Sequence, residues 1–197
     1  LTSAFQHWNK AQRDTTDPEY SNLPYNVIFF DAPSYSKNIT PTRVVNHSII
    51  AKSVQKHLKA HEYDLIFSRV PPNDLARVCA KYADQAGIPF VADVNDLWPE
   101  AMRMVFDVPP ISTAAFSGFK RDADYVYQHA AAVIGTSDEY AQRALASNAT
   151  PELLTVYVGN NVAEFDAEVA ADPLEKPEGE FWVTYAGSIG TSYDIES

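Results

Sequence analysis

A chain of 197 residues that is 46% hydrophobic and 12% aromatic can bury a core of ordinary domain size, which excludes a disordered polymer. Fifteen Lys and Arg stand against 26 Asp and Glu, a net charge of −11. That balance excludes a nucleic-acid binder, whose phosphate neutralisation needs clustered cations.

The opening "LTSAFQHWNK" has neither an initiator Met nor the charged and apolar regions of a signal peptide, so it reads as an interior point of a longer protein. It carries aromatics and cations together: His7, Trp8, Lys10 and Arg13, in a loop or frayed helix. With Lys37 and Arg43 these form a local basic patch, suited to an anionic or amphipathic acceptor near a membrane face; a solvated loop is the competing reading.

Beyond it, two kinds of segment alternate. Short, nearly continuous apolar runs at 26–31 (NVIFFD), 64–69 (DLIFSR), 89–94 (PFVADV), 131–136 (AAVIGT) and 154–159 (LTVYVG) read as strands buried on both faces. Helical patterns fill the intervals. Over 42–61, Val44, Val45, Ile49, Ile50, Val54 and Leu58 recur at steps of three and four. The pattern over 72–86 opens on Pro72 and closes on Gly87, the expected punctuation. Two more cover 120–130 and 137–147, the latter opened by Thr136 and Glu139 in capping-box spacing. Strands alternating with helices predict a doubly wound, Rossmann-like α/β domain with a parallel sheet. The acidic stretch "AEVAADPLEKPEGE" has two prolines and no apolar periodicity, marking a linker. It divides the chain into a first domain over 1–167, the linker over 168–180, and a sixth apolar run, "FWVTYAG", that starts a second domain over 181–197.

Ligands of open parallel sheets collect beyond the carboxyl ends of the strands. The strand ending at Val94 puts Asp93, Asn95, Asp96 and Trp98 of "VADVNDLWPE" at that edge. Asp93 lies within a strand read as buried, so its charge should be paired or its pKa raised. The alternative is structural: Asp96 caps the helix beginning near Pro99, and Asp93 takes a plain hydrogen bond. Ser68 and Arg69 end the preceding strand, where Arg69 would suit a phosphate or a sugar hydroxyl. Cys79, the single cysteine, cannot form an internal disulfide and reads as a buried small hydrophobe in a reducing compartment. His7, His47, His57, His61 and His129 lack metal-ligand spacing, so no metal is expected. No GxSxG, Walker or GxGxxG motif occurs.

Taken in order, "TSAFQHWNKAQR", "YSKNITPTRVVNH", "FVADVNDLWPE", "KRDADYVYQHAAAVIGTSDEYAQRAL", "VYVGNNVAEFD" and "FWVTYAGSIGTSYDI" resemble the retaining glycosyltransferases of family 4, in particular bacterial enzymes of capsule, exopolysaccharide and O-antigen synthesis. The resemblance implies a GT-B architecture, with an acceptor domain first and a donor domain second. An earlier strand, helix and strand would precede residue 1, roughly the size of an ordinary α/β unit. It implies hexosyl transfer from a nucleotide-diphosphate sugar, which is a substrate and no cofactor, to a saccharide or polyprenyl-diphosphate-linked acceptor. The location would be cytoplasmic, with peripheral contact at the inner face of the membrane, and the chain alone would be inactive. Asp96 and then Asp93 would meet the acceptor hydroxyl. His7, Lys10, Arg13, Arg43, Ser68, Arg69 and Trp98 would bind the acceptor; Asn161, Gly187, Ser188 and Gly190 would bind the donor. A nucleotide-sugar 2-epimerase and a non-catalytic carbohydrate-binding domain are the alternatives.

Overall fold

The computed structural model describes residues 1–7, 9–36, 40–104, 107–147 and 151–187. The chain divides into two compact units, Leu1–Val156 and Tyr157–Ser197. In the first, β5 (Ile66–Val70), β6 (Phe90–Val94), β7 (Ala132–Gly135) and β8 (Glu152–Thr155) form a parallel sheet in that order. The crossovers are α2 (Asn73–Ala86), then α3 (Glu100–Arg103) with α4 (Ile111–Gln128), then α5 (Asp138–Gln142) with a 3-10 turn. The unit is therefore α/β and Rossmann-like.

Parallel connections are right-handed, and the strand order advances without reversal, so every crossover lands on the same side. On that side Val70, Phe90, Ala92, Val94 and Val133 pack with Ala76, Ala80 and Ala83 of α2 and Ala123, Val126 and Tyr127 of α4. The small residues of α2 let the helix sit close to the sheet. The opposite side is left more open: Phe67 is 56% exposed and Leu154 54%, while Val91 and Ile134 are half-buried. This corrects the expectation of strands buried on both faces. A second winding is absent among the described residues; β1 (Thr2–Ser3) and β4 (Phe29–Phe30) pair in parallel as a separate sheet. Both still join the structure through α1 (Pro41–Leu58), whose Ile50, Val54 and Leu58 share the core with Ala32 and Ile66.

Several boundaries move. The first residues, expected as a loop or frayed helix, form an antiparallel hairpin of β2 (Phe5–Gln6) and β3 (Ala11–Gln12). Helix α4 begins nine positions before the expected 120, and β8 ends at Thr155, leaving Val156, Tyr157 and Val158 exposed. Ser137, and not Thr136, caps α5, its Oγ accepting from the Tyr140 N–H. Gly87 closes α2 as expected, with φ +67°, a left-handed conformation that glycine adopts without strain. Among the described residues no helix is long and apolar enough to cross a membrane.

In the second unit, α6 (Val162–Ala171) takes in the first residues of the expected linker and is exposed throughout. Phe181, Val183 and Tyr185, expected in a strand, are exposed and pair with no strand among the described residues.

One close approach controls the β7–α5 turn. A Cβ on Gly135 would lie 2.4 Å from the Ala141 nitrogen and 2.8 Å from the Ser137 oxygen, both backbone atoms that cannot turn aside. Gly135→Ala should therefore destabilise the fold by about 1–3 kcal/mol, read as a lower midpoint in urea with an unchanged slope.

Candidate functional site

Four segments of the first unit converge around two buried rings. The β2–β3 hairpin supplies His7 and Lys10, the loop after β4 supplies Tyr35, and the first turns of α1 supply Arg43 and His47. The loop after β6 supplies Asp96 and Trp98. Thr40 caps α1, its Oγ1 accepting from the Arg43 N–H at 3.3 Å, which fixes where Arg43 and His47 leave the helix.

Tyr35, 6% exposed, is the first ring. Its Oη shares a 2.6 Å hydrogen bond with His7 Nδ1, Phe5 packs against it at 4.7 Å, and Lys10 Nζ stands 5.0 Å from its centroid. Lys10 also donates to the His7 carbonyl at 2.5 Å. Trp98, 9% exposed, is the second. Its Nε1–H donates to Asp96 Oδ2 at 3.0 Å, the Arg43 guanidinium lies 4.8 Å from its ring centre, and His47 stacks on it at 6.0 Å. Phe119 meets its edge at 6.2 Å. Cation–π contact of this kind strengthens where water is excluded. So buried an indole is a positioning residue: it aims Asp96 and carries Arg43, and these two are half-buried at the surface of the site.

The electrostatics follow from this crowding. Burial pushes the His7 and Lys10 pKa values down, and the Arg43 charge pushes both further. His47 falls to about 4, through burial first and then through Arg43 and His7. Burial also lowers Arg43, opposed by Tyr35 and Asp96. An acidic chain thus holds a locally positive edge with a single aimed carboxylate.

The expected residues separate into those brought together here and those held elsewhere. His7, Lys10, Arg43, Asp96 and Trp98 meet. Asp96 does not cap α3, which follows Pro99; its Oδ1 accepts from the Leu97 N–H at 2.9 Å. Asp93 points to the open side of the sheet, where its register partner Arg69 pairs with it at 3.5 Å. Its charge is paired, as expected for a strand carboxylate, but toward Arg69 and not toward the indole. Arg69 itself is 72% exposed. Ser68, one residue earlier, faces the helices instead, 7% exposed and beside Cys79, whose thiol burial pushes up to about 11. That placement removes Ser68 from the surface and keeps Cys79 as an inert core residue. Arg13 is half-buried, its backbone N–H donating to the Ala4 carbonyl at 2.7 Å and its Nε buried without a hydrogen-bond partner among the described residues. In the second unit, Asn161 caps α6, accepting from the Glu164 N–H and donating to the Glu164 carboxylate at 3.0 Å. Gly187 ends the described residues; Ser188 and Gly190, like Trp8 and Lys37, lie outside them. Tyr35 and His47 were missed, although Arg43 and His47 stand four apart on the expected helix and so share a face.

A scan against protein-family models matches none, and a search of curated proteins gives no match.

Two outcomes test this geometry. Asn73, 1% exposed, donates from Nδ2 to the Trp98 carbonyl at 2.9 Å and to the Phe119 carbonyl at 3.2 Å. Asn73→Ala orphans the buried Trp98 carbonyl and removes a second bond to the helical Phe119 carbonyl, which should cost about 1–3 kcal/mol, with a changed tryptophan emission even below the unfolding transition. For His47, proton NMR should find a ring that stays neutral until about pH 4, and Arg43→Gln should move that midpoint up. A folded-state pKa depressed below the unfolded one means that the unfolded chain takes the proton first. The His47 contribution therefore lowers stability as pH falls from about 6.5 to about 4, and His47→Gln should flatten that part of the profile.

Proposed function

We propose that the first unit is the acceptor-side domain of a GT-B glycosyltransferase, one that moves a hexosyl group from a nucleotide-diphosphate sugar to a saccharide or polyprenyl-diphosphate-linked acceptor. The observation that carries this reading is the Asp96 carboxylate held by the Trp98 indole at 3.0 Å, with Arg43 on the same ring. It stands at the carboxyl edge of a parallel sheet, where such folds bind their ligands.

The chemistry fits in outline. A carboxylate half-withdrawn from water accepts a hydrogen bond from a sugar hydroxyl and fixes that oxygen for attack. In the transfer the acceptor oxygen bonds to the anomeric carbon, the bond from that carbon to the nucleoside diphosphate breaks, and the hydroxyl proton leaves with the departing phosphate. Arg43 and Lys10 supply the positive edge that a diphosphate-linked acceptor requires, with the His7 ring beside them. Asp93, tied to Arg69, plays no part in this scheme. The donor half is assigned to Asn161 and to the glycine loop that starts at Gly187, on sequence resemblance alone. We place the protein in the cytoplasm on the same ground, with its acceptor presented at the membrane surface.

Calorimetry on this chain should detect a short-chain prenyl-diphosphate-linked N-acetylhexosamine. Asp96→Asn should weaken that binding by about tenfold, as loss of a charged hydrogen-bond acceptor implies. Binding of a nucleotide sugar in place of the acceptor analogue, or equal affinity in the Asp96→Asn chain, would overturn the reading.

A further inference from the structure

A second concave surface lies outside this site. Between α3 and α4 runs a cleft of about 400 Å³, walled by Pro99, Phe116 and Tyr125 and edged by Arg103, Lys120 and Arg121. Thr113 and Ser117 also line it, the Ser117 hydroxyl donating to the Ala114 carbonyl at 2.8 Å. Its charge runs against that of the chain. Three of 15 Lys and Arg line it, but Asp124 is the sole acid there of 26 Asp and Glu. That acid is already committed: Oδ1 accepts from Arg143 at 3.0 Å and Oδ2 from Lys120 at 2.5 Å. Arg143, 13% exposed, is shared between Asp124 and Glu100, and Asp122 takes Arg77 at 2.8 Å and Arg121 at 3.8 Å. With these partners counted, Arg77, Arg103, Lys120, Arg121 and Arg143 face Glu100, Asp122 and Asp124, and the cleft keeps a positive surplus.

Arg103 is oriented by a 3.2 Å donation to Thr113 Oγ1. The Lys120 and Arg121 side chains are 62% and 73% exposed, so their heads reach an incoming ligand. Two forked guanidiniums, an ammonium and the Thr113 hydroxyl on one concave wall suit the oxygens of a phosphate group. The Phe116 ring offers an apolar bed beside them.

We propose that the α3–α4 cleft binds a phosphate-bearing ligand through Arg103, Lys120 and Arg121. The chemistry is common to a soluble phosphate ester and to a phospholipid headgroup, and it does not depend on the glycosyl-transfer reading.

The experiment uses a Lys10→Gln/Arg43→Gln chain, so that the edge around Trp98 contributes no anion binding. Its first arm titrates pyrophosphate by calorimetry. The second sediments the chain with vesicles of phosphatidylglycerol or of phosphatidylcholine. Adding Arg103→Gln, Lys120→Gln and Arg121→Gln should weaken the response by about tenfold or more, since each replaced contact is a charge-assisted hydrogen bond. Arg121→Gln alone, at an exposed position, should give a smaller loss with an unchanged melting temperature. Pyrophosphate binding that these variants weaken assigns a soluble ester. Sedimentation with phosphatidylglycerol only, lost in the variants, assigns a headgroup. No binding in either arm, or binding that the variants leave unchanged, overturns the proposal.

Discussion

The side chain on which the first unit most depends is Asn73. It sits at the first position of α2, almost wholly buried, and its two amide hydrogens reach the carbonyls of Trp98 and Phe119. Those carbonyls belong to the loop after β6 and to the middle of α4, elements 25 and 46 residues away in sequence. A buried carbonyl left without a donor costs more than the bond that satisfies it is worth. The amide therefore decides where the loop after β6 can lie, and with it the position of the Trp98 ring.

The rest of the site follows from that fixed loop. Once Trp98 is placed, its indole N–H can serve only what stands in front of it, and Asp96 is two residues away and half-buried. The same ring takes Arg43 and His47 from α1. A helix end and a strand end thus meet through one aromatic side chain. Arg43 in turn sets the charge that His7, Lys10 and His47 experience. The order of causation runs from a buried amide, through backbone carbonyls, to the titration of side chains on another segment.

Little of that order could be read from the sequence, although the scaffold could. Strands β5, β6 and β7 were legible to within two residues because continuous apolar runs between turn residues admit few alternatives. The start of α4 was not, because "ISTAAFSG" is short of large apolar residues and has the composition of a loop. The two-residue strands of the N-terminal hairpin are too short for any period to show. In the site, Asp96, Trp98, Arg43, His7 and Lys10 could be named from residue type and from the strand-end rule. Tyr35 and His47 could not, since their roles exist only in contacts between distant segments. Ser68 and Arg69 carry a different lesson. Adjacent strand residues face opposite sides, so one of the pair had to leave the surface site; reading the strand as buried on both faces concealed this.

Pro99 and Trp98 are neighbours, yet they face different surfaces. Trp98 backs the carboxylate at the sheet edge, whereas Pro99 lines the cleft between α3 and α4. Glu100, next along, accepts from Arg143 at 2.6 Å, and Arg143 bridges to Asp124 on the cleft wall. The loop that Asn73 holds is thus common to the site at the sheet edge and to the cleft between α3 and α4. A shift of that loop cannot move the indole without also moving the wall of the cleft. Close-packed interiors leave little room for such a stretch to be placed in two ways, so residues 98–100 serve as a common backing for the two surfaces.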